Sequence, residues 1–568
     1  MKTKLLLIII SFLIYKSSFS QQISIPDSNF EIALINLGID NTGQLDGFVD
    51  KNNMLGVESL NIVFRNIIDL TGIEHFENLK ELTAFANNIV NLDLSKNLEL
   101  KKIDLRQNKL ETINLPNNNS LEEIKLFNNN LTELDLKNNY YLKNLSCGNN
   151  KLTNLNLENQ NSLVDLSFYK NQISSFDFNS LSYISTLKRI NCSENNFTEI
   201  YISKLTRLES FSCYDNPLTK PLDIKNNLQI NNLSLGNFNQ KSLDLSEHKN
   251  LAFLTCINSN LDSLDLSNNT KLIRLDCSSN NFKKLNIKYL SDLEFLNCSN
   301  NKIDTLNVSK NINLTELYAF NNEISSVDLS LNLELSGLSL SNNKLKNIDI
   351  NSNEKLRTFY CSRNEIKTFD ITNNILIERL SLHNNPISSL NLSNNEQLNE
   401  LTLHNTQLET LNLSNNKNLE YIRLNYENNL KLIDLKNGNN TKIKLIELEG
   451  IDNTTCIIVD DIAYSELNWN DGVNRNYVNN EADCKSLSSD NFNKINFLIY
   501  PNPAIQEITI NSNQKSNLII YSLDGTLIKK EIIFIGENII PLKDISKGIY
   551  FFKIFNESNS LIKKIIIN

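Results

Sequence analysis

Apolar residues recur along most of this chain with a period of 21 residues. Each period follows the consensus L-x-x-L-x-(L/C)-x-x-N-x-(L/I)-x-x-L-(D/N)-L-S-x-N-x-x, whose positions we number as places 1 to 21. A fixed period of this length predicts stacked coils, each of which buries its apolar edge only against its neighbours. The coils begin near Val57, Leu79, Leu100, Leu121, Leu142, Leu163, Leu187, Leu208, Ile230, Leu251, Leu272, Leu293, Leu314, Leu335, Leu356, Ile377, Leu398 and Leu419.

The same pattern predicts the secondary structure of each coil. L-x-L occurs at places 4–6 and again at places 14–16, and each copy has the period-2 alternation of a short strand. Place 9 is usually Asn, which tolerates tight turns and bonds backbone groups inside a coil. Because no helical stretch separates the two strands, we expect a mainly β solenoid of about 18 coils over residues 57–440, with two parallel sheets.

The segments that flank the periodic region depart from the pattern, as the ends of a repeat array require. Residues 21–56 are predicted to form an N-terminal cap, and residues 441–484 a C-terminal cap. Within the first cap, Asp27 or Ser28 would begin an amphipathic helix. The face of this helix that covers the first coil would consist of Phe30, Ala33, Leu34 and Leu37.

The two chain termini differ in composition from the middle. Residues 1–20 carry an apolar run of about 11 residues after two lysines, which is too short to span a bilayer and predicts a cleaved signal peptide. No long apolar run follows, so the mature chain is expected to have no transmembrane segment. After a polar linker at 485–497, residues 498–568 contain short β-rich runs between turn signals, which predicts a small β-sandwich.

The charge distribution argues against nucleic acid as a partner. The chain has a formal net charge of -10, of which residues 1–20 carry +3 and residues 498–568 carry +2, which leaves -15 on the middle. An acidic body repels phosphate backbones.

Seven of the nine cysteines fall at place 6, where most other coils have Leu. A free cysteine behaves as a small buried hydrophobe, so this position indicates packing. In-register strands would hold neighbouring thiols about 4.8 Å apart and on one side, which suits neither a disulfide nor a tetrahedral metal site. The seven are Cys147, Cys192, Cys213, Cys256, Cys277, Cys298 and Cys361.

The other two cysteines, Cys456 and Cys484, bound the only stretch that contains a Trp, and this stretch is not repetitive. In a chain with an export signal, this pair is predicted to form the single disulfide. The alternative is two free buried thiols.

Two stretches resemble known families. The 21-residue pattern is similar to the bacterial class of leucine-rich repeats, and "LTGIEHFENLKEL" (70–82) to the entry segment of internalin-type domains. The tail resembles the type A C-terminal sorting domain of type IX secretion, the alternative being an accessory adhesion domain. The resemblance implies export through the periplasm, with the secretion machinery as a partner, followed by release or attachment at the outer membrane. The matching residues are Tyr500, Pro501, Asn502, Pro503, Gly525, Gly548, Tyr550 and Lys553.

The motif search favours a binding protein over an enzyme. The chain has four histidines, and no H-E-x-x-H, G-x-S-x-G, C-x-x-C or Gly-rich phosphate loop occurs in it. His383 and His404 share place 7 of adjacent coils, but two ligands alone make a weak metal site, and we interpret them as turn residues.

Places 3, 5 and 7 flank the first strand and are predicted to face solvent, where leucine-rich repeats usually bind. Aromatic side chains there could anchor a protein or a sugar, or they could only stack on each other and stabilise the sheet. Sequence alone leaves both open. The aromatic residues are Phe85, Phe127, Tyr169, Tyr214, Phe253, Phe295, Tyr318, Phe320 and Tyr360.

No cofactor is predicted, although two patterns raise the question of Ca²⁺. Place 15 carries runs of Asp in adjacent coils, and a solvated ladder diluted by Asn is the interpretation we prefer there. Residues 40–50 resemble an EF-hand loop through Asp40, Asp46 and Gly47, but the spacing departs from that motif and no Glu closes it. The Asp runs are Asp223, Asp244, Asp265 and Asp328, Asp349, Asp370.

These observations predict a secreted or cell-surface leucine-rich-repeat protein that recognises a protein or polysaccharide ligand. The alternative is a structural stalk or spacer without a specific ligand. An uneven distribution of exposed aromatics along the array would favour binding, and uniform coils would favour a spacer.

Overall fold

A computed structural model describes residues 21–568, except 159, 179–185, 239, 470–472, 474, 486–496, 513–514 and 557–559. The predicted signal peptide and most of the predicted linker lie outside the described residues. The chain forms two compact units. The first ends at Leu430 and also includes Lys442–Ile451, and the second comprises Lys431–Thr441 and Asp452–Asn568.

The first unit is a β-solenoid of about 19 turns, which confirms the predicted fold class. Short strands at places 3–5 pair in parallel and in register, so that place 4 of each coil lies beside place 4 of the next, as in Leu275, Leu296 and Leu317. The coil that ends the series was not predicted, because its strand lies beyond the last regular repeat. The strands are Ser59–Asn61, Glu81–Thr83, Lys102–Asp104, Glu123–Lys125, Asn144–Ser146, Asp165–Ser167, Arg189–Asn191, Ser210–Ser212, Asn232–Gly236, Phe253–Ile257, Arg274–Asp276, Phe295–Asn297, Glu316–Tyr318, Gly337–Ser339, Thr358–Tyr360, Arg379–Ser381, Glu400–Thr402, Tyr421–Arg423 and Leu445–Glu447.

The expected second sheet, at places 14–16, is present only in fragments among the described residues. Asn91–Asp93 pairs with Thr112–Asn114, a further strand spans Thr410–Asn412, and single bridges join two more pairs of coils. The Asp or Asn at place 15 often accepts a hydrogen bond from the backbone N–H two residues later, both outside these strands, as Asp265 does from Ser267 at 3.0 Å, and within them, as Asp93 does from Ser95 at 2.9 Å. This local bond therefore does not decide where the second sheet forms.

A buried Asn at place 9 connects most coils. Asn301 donates to the carbonyls of Cys298 in its own coil (3.0 Å) and Cys277 in the preceding coil (3.2 Å), and its oxygen accepts from the Phe282 N–H (3.0 Å). The left-handed backbone conformation falls one place earlier than expected, because place 8 has φ between 47° and 60° in all 18 predicted coils, Asn300 among them. Place 8 therefore makes the turn, and the Asn at place 9 satisfies the backbone groups that the turn buries.

A second row of buried Asn residues occupies place 19. Asn332 donates to the carbonyls of Val308 (3.1 Å) and Asn311 (2.8 Å) of the preceding coil. His248 takes this place in one coil and is 2% exposed. Burial lowers the pKa of His248, although the Ile224 carbonyl and nearby acidic side chains act in the opposite direction.

The N-terminal cap consists of the strand pair Gln22–Ser24 and Phe48–Asp50 and the helices Ser28–Asn36 and Lys51–Leu55. Asp27 caps the first helix, as predicted. One of its oxygens accepts from the N–H groups of Asn29 and Phe30, and the other from Ile68 and Asp69 of the first coil. This single carboxylate therefore ties the cap to the solenoid.

The predicted apolar face of this helix is correct for Phe30, Ala33 and Leu34, which are buried, and wrong for Leu37, which is 48% exposed. The reason is that the helix ends at Asn36 and Leu37 is its C-cap. Two short 3-10 helices, Ile73–His75 and Asn440–Lys442, complete the helical segments outside the second unit's cap.

The second unit begins with the parallel strands Leu432–Asp434, Cys456–Ile458 and Asn476–Val478 and the helices Ile462–Asn468 and Glu481–Lys485. The disulfide between Cys456 and Cys484 is confirmed, with 5.8 Å between their Cα atoms. The tail forms an antiparallel three-stranded sheet and an antiparallel four-stranded sheet around one apolar core. In order within each sheet, the strands are Phe497–Tyr500, Glu507–Ser512 and Gly536–Pro541, then Leu527–Ile533, Ser516–Ser522, Gly548–Phe555 and Ser560–Ile567.

We predict that Asn301→Ala lowers the free energy of unfolding by about 3 kcal/mol, because it leaves the buried Phe282 N–H without a partner and removes one of two amide donors from the carbonyls of Cys277 and Cys298. The midpoint of guanidinium denaturation, followed by circular dichroism, measures this loss. Asn231→Ala is the matched control, since Asn231 is exposed at place 2. Equal midpoints for the two variants would contradict the role assigned to place 9.

We also predict that His248→Asn reduces the sensitivity of the solenoid to acid. The pKa of His248 is lowered in the folded chain, so the folded state favours the neutral ring, and this contribution to stability is lost as pH falls below the unfolded value of about 6.5. The measurement compares denaturation midpoints at pH 7.5 and pH 5.5. The drop should be smaller in His248→Asn than in the parent, whereas Asn231→Ala, which removes no titratable group, should leave it unaltered.

Candidate functional site

The cysteines at place 6 are buried structural residues. All seven are free and at most 1% exposed, and each occupies the buried place that Leu, Ala or Phe takes in other coils. Burial raises the pKa of Cys147, Cys213 and Cys298 to about 12 and raises that of the other four as well. Since the thiolate is the nucleophile and the metal ligand, these thiols carry no chemistry in the folded chain.

Among the aromatic residues at place 7, Tyr169 packs its ring against a neighbouring coil. The ring of Tyr169 covers Gly148, where an added Cβ would lie 2.3 Å from the ring. Gly236 differs, because an added Cβ there would lie 2.9 Å from the Ile257 side chain and 3.3 Å from the Tyr214 Cβ rather than against the Tyr214 ring. Both tyrosines are half-buried, and Gly148 is what leaves room for the Tyr169 ring.

Phe85 and Phe127 share an arginine near the start of the array. The Arg106 guanidinium carbon lies 4.5 Å from the ring centroid of Phe85 and 5.7 Å from that of Phe127. Phe64, which the sequence analysis did not select, meets Phe85 edge-on at 5.2 Å and is 68% exposed. It was missed because it occupies place 8, outside the places that were searched.

A denser cluster lies in the middle of the sheet at place 3. Phe253, Arg274, Phe295 and Glu316 are successive partners in the strand register. The Arg274 guanidinium carbon is 3.4 Å from the centroid of the Phe295 ring, and that ring lies 5.6 Å from Tyr318. Phe253 is 42% exposed at the edge of the cluster. We name these five residues the aromatic–arginine cluster.

The backbone changes where this cluster begins. Asn232–Gly236 and Phe253–Ile257 have five residues each, whereas the other described strands of the sheet have three. Their coils have Phe238 and Ser259 at place 9 in place of Asn. In these two coils the parallel ladder extends to place 7 and lengthens the sheet beside Phe253.

A trough runs along the sheet towards the cluster. Small polar side chains form its floor, and its cavity volume is about 480 Å³. An ion pair between Arg189 and Asp165 stands near one end, and Phe253 and Arg274 form the other. The lining spans six strands, which corresponds to about 24 Å at the spacing of about 4.8 Å between strands. The floor consists of Ser167, Asn191, Ser210, Ser212, Asn232, Ser234 and Thr255.

Tyr318 lies at the far end of the cluster, and two predicted aromatics lie beyond it. Tyr318 is half-buried and donates to Glu316 at 3.0 Å, and burial together with this carboxylate raises the pKa of its hydroxyl. Ser339 lies between Tyr318 and Tyr360 in the strand register. Phe320 and Tyr360 are half-buried and lie outside the cluster.

The two place-7 histidines are neighbours, as predicted. The rings of His383 and His404 meet edge-on with 5.5 Å between centroids, and burial lowers the pKa of each. His383 Nδ1 lies 3.0 Å from the Ser381 hydroxyl. Among the described residues there is no group of three or more His, Cys, Asp or Glu side chains arranged to hold a metal ion.

The acidic patterns considered for Ca²⁺ have local partners. Hydrogen bonds from the residue two positions later lower the pKa of Asp244, Asp265, Asp328 and Asp370, and they stabilise the charged form without a cation. In the 40–50 loop, the carboxylate that organises the chain is Glu31. It accepts from the N–H groups of Asp46 (2.8 Å) and Gly47 (2.7 Å), while Asp40 accepts from Thr42.

The residues that the sequence predicts as the sorting signal make structural contacts in the tail. Asn502 donates to the Lys564 carbonyl at 3.1 Å and accepts from the Ile566 N–H at 2.9 Å, so it holds the last strand. Pro501 and Pro503 flank it, each after a cis peptide bond. Tyr550 donates to the Ser546 carbonyl at 2.8 Å.

The other four of these residues lie in strands or turns. Tyr500 donates to Glu537 at 3.0 Å, and Gly525 has φ +84°, which favours glycine in its turn. Gly548 begins the strand that contains Lys553, whose Nζ lies 5.7 Å from the Phe555 ring centroid.

Comparison with known families identifies the tail. Residues 498–568 match the family described as the secretion system C-terminal sorting domain, Por_Secre_tail. This match indicates export by type IX secretion and a secreted or cell-surface protein. Comparison with curated protein sequences yields no match.

Solved structures with the same architecture are leucine-rich-repeat proteins, so the first unit has a leucine-rich-repeat fold. The functional domain of InlJ from Listeria monocytogenes, which includes a cysteine ladder, has 20% identity and a TM-score of 0.50 over 97% of this chain and 99% of that chain. A plant peptide hormone receptor, RGFR1 in complex with RGF2, has 18% identity and a TM-score of 0.50 over 71% of this chain and 82% of that chain. These identities show the fold alone. None of these comparisons shows an enzyme family, and no described helix is long and apolar enough to cross a membrane.

We predict that the place-6 thiols of the folded chain do not react with iodoacetamide at pH 8, because burial raises the pKa values of these seven cysteines. Mass spectrometry after alkylation should find seven additional modified sites only when the chain is first unfolded in guanidinium. Rapid labelling of Cys277 in the folded chain would contradict its assignment to the core.

Proposed function

We propose that this chain is a secreted or cell-surface recognition protein that binds an extended protein or polysaccharide segment along the trough, with the aromatic–arginine cluster as its anchor. The observation that carries the proposal is the uneven composition of the sheet face. Small polar side chains fill places 3 and 5 of successive coils, and Phe253 and Arg274 then rise beside them. A spacer would have no reason to differ from coil to coil.

The side chains of the cluster suit binding. Aromatic residues and arginine are enriched among the residues that contribute most to binding energy, and a guanidinium stacked on a ring is already oriented. Arg274 is held over Phe295 in this way, and Phe253 leaves much of its ring exposed. The rigid sheet below them supports binding with little loss of conformational entropy.

The dimensions of the trough suit a linear ligand. A length of about 24 Å corresponds to about seven residues of an extended peptide at about 3.4 Å per residue. Serine hydroxyls and Asn amides on its floor both donate and accept, so they fit the amides of a peptide and the hydroxyls of a sugar. The type IX sorting domain supports presentation outside the cell, and we propose that the mature protein is released or attached to the outer membrane there.

The experiment probes a glycan array and a host-protein array with the full chain. For each ligand found, Phe253→Ala/Arg274→Ala should weaken binding by at least about tenfold, the effect of about 1.4 kcal/mol. Ser234→Trp should do the same by filling the trough while leaving the cluster intact.

Phe127→Ala/Arg106→Ala is the matched control, because it removes the same residue types from another cation–π pair on the same face. This control should bind as the parent does. Equal loss in both double variants would place the ligand elsewhere, and the absence of any ligand would favour the spacer.

A further inference from the structure

The sorting-signal residues of the tail are largely occupied by contacts within the domain. Asn502 and Tyr550 bond to backbone groups, and Tyr500 bonds to Glu537. A sorting domain must also be recognised by another molecule, so the surface that is read has to include side chains outside this network.

One face of the four-stranded sheet packs on the core, and the opposite face, which we call the outer face, is open. Leu518, Phe552 and Ile554 are buried on the inner side. The register places Lys530, Ile519, Lys553 and Ile562 in one row across the outer face, because strand partners share a side of the sheet. A second row contains Ile532, Asn517, Phe555 and Ser560, and a third contains Leu527, Tyr521, Phe551 and Lys564.

The outer face is apolar and basic. Ile562 is 58% exposed, Ile532 is 52% exposed, and Lys530 and Lys564 are also exposed. None of the described strand residues on this face is acidic, and no carboxylate pairs with its three lysines among the described residues. Glu531 lies opposite Leu518 in the register, on the inner side, where it pairs with Lys529 at 3.2 Å.

A groove between the rows gives this face a shape. It has a cavity volume of about 450 Å³, and its lining includes Ile519, Lys530, Ile532 and Phe555 of the outer face together with Glu531, whose carboxylate is paired with Lys529. An apolar groove with a basic rim fits a protruding apolar side chain next to a carboxylate. A flat lipid surface would not enter it.

We propose that the outer face of the four-stranded sheet is the docking surface for a protein of the export machinery, which presents carboxylates around a protruding apolar strip. Lys530 and Lys553 pair with the carboxylates, and the groove beside Ile532 accepts the apolar side chain. The proposal rests on the sorting domain alone and does not depend on what the solenoid binds.

The test uses the full chain, expressed in a bacterium that has a type IX secretion system. Lys530→Glu/Lys553→Glu should reduce the exported fraction by at least about tenfold, since facing like charges cost several kcal/mol across an interface. The chain should accumulate in the periplasm. Ile532→Asn should give a reduction in the same direction, and Lys530→Arg/Lys553→Arg should restore export.

Lys543→Glu/Lys547→Glu is the matched control, because it makes the same change of charge in the exposed segment before the third strand of this sheet. It should be exported as the parent is, and all variants should have the parent's guanidinium midpoint when purified. The proposal is overturned if the Lys530→Glu/Lys553→Glu variant is exported at the parent's level. It is also overturned if the control variant loses as much export.

Two other occupants are distinguished in the same series. Sedimentation of the purified chain with phosphatidylcholine vesicles that contain phosphatidylglycerol tests a lipid surface. Binding that the Lys530/Lys553 reversal abolishes, together with normal export, would assign the face to the membrane. The third measurement is the unfolding midpoint of the solenoid in the Lys530/Lys553 reversal. If this midpoint falls while export stays normal, the outer face would be assigned to this chain's own acidic solenoid.

Discussion

The structure depends on how each coil satisfies the backbone groups that its turn buries. A 21-residue coil must reverse direction inside the stack, where no water is available to the peptide groups of the turn, and an unpaired group there is expensive. The Asn at place 9 solves this with one side chain, since its two N–H bonds reach carbonyls in two coils and its oxygen accepts from a third position. The bonds close only when neighbouring coils are in register. The register between coils and the geometry of the turn therefore depend on the same hydrogen bonds.

This condition explains why place 6 alternates between Leu and Cys. The carbonyl of place 6 accepts from the place-9 amides of two coils, so its backbone is held while its side chain fills the core. Either side chain fits the same position, and stacking neighbours such as Cys277 and Cys298 places their thiols at the same depth with no solvent between them. The ladder of thiols follows from the packing rather than from redox chemistry.

The sequence predicts the features that depend on the period, and fails where a local interaction competes with it. The solenoid, its direction of stacking, the capping role of Asp27 and the disulfide all follow from position in the pattern. The second sheet does not, because the repeated L-x-L at places 14–16 forms a paired strand in only a few coils. Leu37 satisfies the helical spacing but lies past the helix end, which the periodicity does not mark.

The sequence predicts which residue types form the candidate site, but not which coils contain it. Sequence identifies nine aromatics at solvent-facing places, yet it cannot tell that Gly148 accommodates Tyr169 and makes that ring structural. It also does not show that serines in adjacent coils create a trough. A trough forms only where several adjacent coils have small side chains and the coils at its ends have larger ones. The stacking of Arg274 on Phe295 requires both residues at place 3, and the period does reveal this.

In a solenoid with identical turns, position within the period decides what a departure from the consensus does. His248 departs at an inward place, where it alters the buried hydrogen bonds and therefore stability. Phe238 and Ser259 depart at the turn, in the two coils whose strands are longer than the others. Phe253 differs from the consensus at a place that faces solvent. A change there loses no core packing and can add a contact for a ligand. Recognition can therefore evolve coil by coil on the outer side of the sheet while the Asn ladder stays unchanged.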